Sequence, residues 1–213
     1  MRSKFDEQLA LLNRDLTKMG SLCEEALALA AKALANADGQ TAAKIAPIDS
    51  EIDQMERTIE SLCLKLLLQQ QPVARDLRQI SAALKMITDM ERIGDQDEDI
   101  AEIASTAKKK MLKKSKHIQR MAAATIDMVN KSVEAFIKKD LLIAEEVSHN
   151  DDVVDALFEE IVNDLVDIIK KDEGTSEVLD MLMVAKYFER IGDHAVNIAE
   201  WVQFSITGEH KRL

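Results

Sequence analysis

The residues best suited to chemistry are four pairs of acidic side chains, each pair spaced four residues apart. In a helix this spacing places both carboxylates on one face, about one turn apart. Like charges so placed destabilise a helix by a few tenths of a kcal/mol, about 0.2–0.5. A bound cation would remove that cost, so the pairs predict cation sites. They are Asp49 with Asp53, Glu91 with Asp95, Asp151 with Asp155, and Glu189 with Asp193.

The donor set consists of oxygen atoms, without cysteine or paired histidine. Such a set suits Mg²⁺, Mn²⁺, Ca²⁺ or iron better than a structural zinc ion. Asp99 and Asn197 continue the same helix faces one turn further on and offer an additional oxygen to each site. Because Asn197 is neutral, we expect the second site to be the weaker one. The alternative interpretation is a solvated acidic face that binds no metal.

The first two pairs flank Pro72, which interrupts a helical pattern and predicts a hairpin. Asp49 and Asp95 lie equally far from Pro72 along the chain, as do Asp53 and Glu91. In an antiparallel hairpin, residues equally far from the turn lie level with each other. The four carboxylates are therefore expected at one height.

The other two pairs flank a turn around Asp172 in the same way. Asp151 and Asp193 lie equally far from Asp172, as do Asp155 and Glu189. Two glycines interrupt the motif helices, Gly94 and Gly192, each beside a predicted ligand. We expect them to permit a close helix contact or a close approach to metal, and Arg92 and Arg190 to form salt bridges with the carboxylates.

The chain contains an internal duplication. The segment 84–102 recurs at 182–200, 98 residues later, and the segment beginning at Asp38 recurs at Asp140, 102 residues later. This predicts two tandem three-helix bundles, residues 1–112 and 113–213. The chain has only two prolines and six glycines and is rich in helix-forming residues, so we predict an all-α fold. The predicted helices are 5–36, 47–70, 74–107, 116–138, 141–171 and 176–206.

Charge and composition restrict the partners. The 213 residues contain 28 Lys+Arg against 39 Asp+Glu, a net charge of -11, which disfavours nucleic acid as a ligand. No apolar run is long enough for a membrane span, and the first residues carry charge where a signal peptide is apolar. We therefore expect a cytoplasmic protein that contacts membranes only through partners. Cys23 and Cys63 fall in apolar helical patterns and are expected in the core, unpaired.

Three stretches resemble a known family. The duplicated Glu-Arg-Ile-Gly-Asp motif, QPVARDLR at 71–78 and ERIGDHAVNIAEW at 189–201 are similar to sequences of the PhoU family, the phosphate-transport-system regulatory proteins. The resemblance covers essentially the whole chain. It implies a cytoplasmic accessory protein, not an enzyme, that keeps the phosphate-starvation response off when phosphate is plentiful.

The resemblance also implies partners and a cofactor. Family members are thought to link the ATPase component of the high-affinity phosphate ABC transporter to a membrane-bound sensor histidine kinase, and dimers are common among them. Several carry magnesium or iron on paired E/DxxxD motifs. In this chain those motifs fall on the eight paired carboxylates named above, and manganese suits the same oxygen donors.

Other functions are compatible with parts of the sequence. PhoU-like proteins also accompany low-affinity phosphate transporters. A ferritin-like di-iron protein requires two Glu-x-x-His motifs, and the chain has one, Glu146 to His149. A third possibility is an interaction module without metal. The lysine-rich run 108–116 would then bind an anionic partner, although lysines at a helix end also stabilise the helix dipole.

Overall fold

The computed structural model describes residues 2–70, 72–106, 115–170 and 175–209. Within these ranges the chain forms helices joined by short turns and contains no strand, which confirms the all-α prediction. The lysine-rich run up to residue 114, the turn at 172–174 and the predicted boundary between 112 and 113 lie outside the described residues. The helices are α1 (Arg2–Asn36), α2 (Gly39–Ala42), α3 (Ile45–Gln70), α4 (Ala74–Thr106), α5 (Lys116–Lys138), α6 (Leu141–Lys170) and α7 (Thr175–Thr207).

The short helix α2 was not predicted from the sequence. Asp38 caps its N-terminus, accepting hydrogen bonds from the backbone nitrogen of Gln40 at 3.0 Å and from the Thr41 hydroxyl at 2.6 Å. The following helix was predicted to begin at Pro47, but α3 begins at Ile45. Proline is tolerated in a first turn because the backbone N–H groups there have no partner within the helix.

Helices α1, α3 and α4 form the first bundle, and α5, α6 and α7 form the second. Two hydrogen bonds set the register of α1 along α4. Gln79 Nε2 donates to Asn13 Oδ1 at 2.7 Å, and Cys23 Sγ donates to the Met90 carbonyl at 3.4 Å. Residue numbers rise together in these pairs, so α1 and α4 run in the same direction and α3 returns between them.

The core follows the apolar stripes of the helices. Cys23 and Cys63 are free and buried, as predicted. Leu66 and Ile161 are buried as well, whereas Ile169, which continues the stripe of α6, is 58% exposed. Near the end of a bundle the neighbouring helices no longer cover that face. None of the described helices combines the length and apolar character needed to cross a membrane.

The two halves meet where α4 packs against α7. Asp89 of α4 accepts a hydrogen bond from Asn197 Nδ2 at 3.1 Å, and its Oδ1 lies 2.9 Å from His194 Nδ1. At the other end of this contact the Tyr187 hydroxyl donates to Asp99. In the duplication, position 89 of the first half corresponds to position 187 of the second, and position 99 corresponds to 197. Each contact therefore joins the same two positions, with the halves interchanged. The interface is therefore close to two-fold symmetric.

Candidate metal centre

The carboxylate site of the first half is built where α3 crosses Gly94 of α4. A Cβ atom added at Gly94 would lie 2.6 Å from Asp49 Oδ1 and 3.1 Å from the Ile52 side chain. Only glycine lets Asp49 lie directly over the α4 backbone at this distance. The structure thus brings Asp49 to the level of the Glu91–Asp95 motif.

The electrostatics of Asp49 reflect crowding by other acids. Burial, followed by the charges of Glu98, Asp53 and Asp95, raises the pKa of Asp49 to about 7. Its Oδ1 atom is buried and has no hydrogen-bond partner. Burial and the nearby Asp95 also raise the pKa of Glu91. The four carboxylates that were predicted at one height therefore repel one another, because nearby positive charges do not fully neutralise them.

Two arginines offset part of this charge. Arg92 donates to Asp95 at 3.0 Å and lies 3.4 Å from Glu91, which confirms its predicted salt bridges. Arg57 lies 3.6 Å from Asp53. These ion pairs are solvent-accessible and contribute little energy, about 0–1 kcal/mol each.

The second half repeats the arrangement in a looser form. Burial, followed by the charges of Asp155 and Asp193, raises the pKa of Asp151 to about 6. A Cβ atom added at Gly192 would lie 3.5 Å from Asp151 Oδ1, an ordinary contact. Burial and the charge of Glu189 raise the pKa values of Asp155 and Asp193 as well. All four predicted carboxylates of this half are thus electrostatically coupled.

The salt bridge predicted for Arg190 is absent. Among the described residues no carboxylate lies within ion-pair distance of Arg190, and Lys186 instead forms the ion pair with Glu189. Lys186 also lies 5.5 Å from the centre of the Phe158 ring. Lys186 lies one turn before Arg190 and extends toward α6, whereas Arg190 lies near Asp99 of the first half.

Asp99 and Asn197, proposed as additional oxygen donors, have partners in the interface between the halves. Asp99 accepts from Tyr187, and Asn197 donates to Asp89. Both side chains lie one turn beyond the paired carboxylates, where the helix face turns toward the other half. A metal ion could use them only in competition with these hydrogen bonds.

Two further acidic residues, which were not predicted as metal ligands, lie near this site. The charge of Glu98 is, after burial, the largest cause of the raised pKa of Asp49. Asp97 is fully buried, both of its carboxylate oxygens lack a partner, and burial raises its pKa. The burial of Asp97 could have been predicted from its counterpart in the second copy. That counterpart, 98 residues later, is the apolar Ala195, which indicates a core position for residue 97.

The donor set fits a hard cation, but the side chains do not form a closed cage. In the part of the chain that the structure describes, no three His, Cys, Asp or Glu side chains converge as metal ligands. The unpartnered Asp49 Oδ1 and the mutual repulsion of the carboxylates are nevertheless what a cation would satisfy. Beside the site a cavity of 420 Å³ has an acidic rim formed by Glu98, Asp99 and Glu102.

Comparison with known proteins agrees with the fold and the duplication. The PhoU domain model matches residues 16–104 and 118–202. The "phosphate-specific transport system accessory protein PhoU homolog" of Clostridium acetobutylicum is 36% identical over 220 residues, covering 100% of this chain and 98% of the relative. The protein of the same name from Pseudomonas aeruginosa is 32% identical over 212 residues, covering 98% of this chain and 88% of the relative.

Solved structures give the same result. The crystal structure of PhoU from Pseudomonas aeruginosa superposes with a TM-score of 0.88 at 32% identity, covering 96% of this chain and 100% of that one. The phosphate transport system regulatory protein PhoU from Streptococcus pneumoniae superposes with a TM-score of 0.91 at 26% identity, covering 98% of this chain and 100% of that one. Two family domains cover most of the sequence, and the relatives align along nearly all of it, so this chain belongs to the PhoU family.

Proposed function

We propose that this protein is a cytoplasmic, non-enzymatic negative regulator of phosphate uptake. The observation that carries the proposal is the nearly full-length match to proteins named as accessory or regulatory components of phosphate transport. The proposed partners are the ATPase component of the phosphate ABC transporter and a membrane-bound sensor histidine kinase, with the protein itself as a homodimer. It would keep the phosphate-starvation response off while phosphate is plentiful.

The paired carboxylates are proposed as the metal sites of this regulator. Asp49, Asp53, Glu91 and Asp95 would hold Mg²⁺, Mn²⁺ or iron in the first half, and Asp151, Asp155, Glu189 and Asp193 in the second. When bound, the cation supplies positive charge that offsets the repulsion between helices of one hairpin. The unpartnered oxygen of Asp49 supports this proposal, as do the pKa values of Asp49 and Asp151, which burial and the neighbouring acids raise.

A di-iron oxidase is less compatible with these contacts. Glu146, which begins the one Glu-x-x-His motif, pairs with Lys131 at 3.1 Å across the α5–α6 contact. Glu146 therefore already has a cationic partner. The paired carboxylates contain no histidine, which the ferritin-like sites use on two helices.

The regulatory role is tested by deleting the gene and measuring a phosphate-starvation reporter in phosphate-rich medium. We expect the reporter to be active in the deletion strain and silent again after complementation with the wild-type chain. A deletion strain that keeps the reporter silent in rich medium would refute the proposal. Copurification of the transporter ATPase with the tagged chain distinguishes this role from that of a low-affinity transporter accessory, for which a single-polypeptide permease would copurify instead.

Metal binding is tested by elemental mass spectrometry of protein purified without chelator. We expect Asp95→Asn to remove the metal of the first half and Asp193→Asn to remove that of the second. Asp167→Asn is the matched control, because Asp167 is 67% exposed and outside both clusters. Wild-type protein that is folded, metal-free and unable to take up added Mn²⁺ would reduce the clusters to acidic surface.

A further inference from the structure

A second cavity lies at the opposite end of α4 from the carboxylates of the first half. It measures 370 Å³ and opens between the start of α4, the end of α5 and the end of α7, so both halves of the chain form its walls. Its lining contains three cationic side chains, two polar ones and two apolar ones, and no acidic residue. These are Arg75, Arg78, Lys139, Gln79, Ser205, Phe136 and Ile206.

Within the described ranges, the three cations of this cavity form no ion pair. None of the ion pairs among the described residues involves Arg75, Arg78 or Lys139. The Nε atom of Arg78 is buried without a hydrogen-bond partner. Buried donors in folded proteins are nearly always satisfied, so this one indicates a missing acceptor. The chain has a net charge of -11, so acidic side chains are in excess. A cluster of cations that none of the described acids pairs with is therefore unexpected on an ordinary surface.

The backbone around the cavity holds Arg78 in place. Gly208 adopts a left-handed conformation with φ of 82°, and a Cβ atom added there would lie 3.2–3.3 Å from the Arg78 side chain. The Arg78 side chain therefore packs closely against Gly208, where the positive φ favours glycine and an added methyl group would push the arginine aside. On the other side, Lys139 ends α5 with a positive φ of 53°.

We propose that this cavity binds a phosphate group, with the guanidinium groups of Arg75 and Arg78 and the ammonium group of Lys139 around it. Arginine presents a planar fork of donors that matches phosphate oxygens. Gln79 Nε2 uses one N–H on Asn13 and has a second at the same wall, whereas the Ser205 hydroxyl already donates to the Val202 carbonyl, so the three cations carry the recognition. The second half cannot repeat this site, because Arg75 and Arg78 correspond 98 residues later to Glu173 and Ser176.

The cationic lining of the cavity indicates that its ligand is an oxyanion. The choice of phosphate among the oxyanions rests on the proposed function. The ligand would be either inorganic phosphate or the phosphate group of a small ester, since both present the same oxygens. Arg75 and Arg78 come from the first half, and Lys139 and Ser205 from the second. A bound phosphate would therefore bridge the two halves beyond the α4–α7 contact, which provides a physical route from phosphate level to the arrangement of the bundles.

The test is isothermal titration calorimetry of the full chain with inorganic phosphate and, separately, with glycerol phosphate. Chelator-treated protein at physiological ionic strength keeps the carboxylate sites free of metal, so phosphate cannot bind through a cation. We expect a dissociation constant of about 1 mM or tighter for one of the two probes. Arg78→Gln is expected to weaken binding ~10-fold or more, since a charge-assisted hydrogen bond is lost.

Three variants keep the result interpretable. Lys85→Gln removes one exposed cation of α4 outside the cavity and should leave binding unchanged. Arg75→Gln alters an exposed rim residue, so it tests the site even where Arg78→Gln fails to fold. Arg78→Lys keeps the charge but not the fork and should bind between wild type and Arg78→Gln.

The two probes identify the source of the phosphate group. Binding of inorganic phosphate assigns the free anion, and binding of glycerol phosphate alone assigns an ester. Binding of neither probe, or equal binding by wild type and Arg75→Gln, would overturn the inference. The reporter experiment on the regulatory role is independent of this titration. The reporter result can contradict the regulatory role while phosphate still binds the cavity, and phosphate can fail to bind while the regulatory role holds.

Discussion

At the scale of single residues, the two motif glycines make a matched pair with different surroundings. An added Cβ meets Asp49 at 2.6 Å at Gly94 but meets nothing nearer than 3.5 Å at Gly192. Alanine is favoured over glycine in a helix by about 1 kcal/mol. We therefore expect Gly192→Ala to raise the free energy of unfolding by up to about 1 kcal/mol.

Gly94→Ala should fail to gain this stability, because Asp49 and Ile52 must move to admit the methyl group. We expect it to be less stable than Gly192→Ala by about 1 kcal/mol or more in urea unfolding of the metal-free protein. Equal stabilisation by both substitutions would show that Asp49 rotates away without cost. The first half would then lose its structural reason for keeping glycine.

Asp97 supplies a second prediction at this scale. Its carboxyl group is fully buried without a partner, whereas its counterpart Ala195 is equally buried and apolar. Removal of an unsatisfied buried polar group stabilises a protein by about 1–3 kcal/mol. We expect Asp97→Ala to raise the free energy of unfolding of chelator-treated protein within that range, measured with urea. A less stable variant would contradict this and would indicate an acceptor or ligand for Asp97.

At the scale of the helices, one carboxylate of α4 serves two polar partners on α7. Asp89, 14% exposed, is the shared partner of His194 and Asn197. Asp89→Ala leaves the half-buried His194 without its partner, whereas water can replace the bond to the exposed Asn197, so we expect a loss of about 0.5–1.5 kcal/mol in the free energy of unfolding. Asp167→Ala removes an exposed acid from a surface pair and should change stability by less than about 0.5 kcal/mol. Similar small effects of both substitutions would mean that the helices hold together by apolar packing alone.

The helices themselves were largely predictable from local sequence. Helix α5 was predicted over 116–138, before a turn at Asp140, and it has these ends. The structure adds the reason, because Ser115 caps its start and Lys139 ends it with a positive φ. The hairpin about Pro72 also brought the acid pairs together as predicted. Local rules were less informative for α2, a single turn whose formation depends on the capping by Asp38.

The contacts between the halves could not be predicted in this way. Whether Asp89 meets Asn197, or Asp99 meets Tyr187, depends on how the bundles dock, and no spacing within one helix encodes that. Arg190 shows the same limit, since it lies near Asp99 of the first half. The carboxylate clusters could be predicted because each lies within one hairpin. In a hairpin, the distance of a residue from the turn along the chain determines its position along the helix axis.

At the scale of the whole molecule, the pH dependence of stability follows from the acid clusters. The pKa of Asp49 is raised to about 7 and that of Asp151 to about 6, from an ordinary value of 3.8. Between about pH 4 and pH 7 the folded state therefore binds more protons than the unfolded state. Its stability must fall as the pH rises through that window, and the net charge of -11 acts in the same direction.

We expect chelator-treated protein to melt at a higher temperature near pH 5 than near pH 8. The double variant Asp49→Asn, Asp151→Asn should show a smaller difference, since these two groups no longer titrate. Adding Mn²⁺ near pH 8 should raise the melting temperature of the wild type but have less effect on the double variant. Identical pH profiles for the two proteins would contradict the assignment of these carboxyl groups.

The exchanged contacts across α4 and α7 also have a historical consequence. Two identical three-helix chains that meet about a dyad make each cross-contact twice, once from either side. Here Asp89 with Asn197, and Tyr187 with Asp99, occupy those two places within a single polypeptide. Fusion of two copies of such a chain would leave this pattern of exchanged contacts. Once the copies lie in one polypeptide each side can diverge, and the cavity between the halves shows it, because Arg75 and Arg78 on its first-half wall correspond to Glu173 and Ser176 in the other copy.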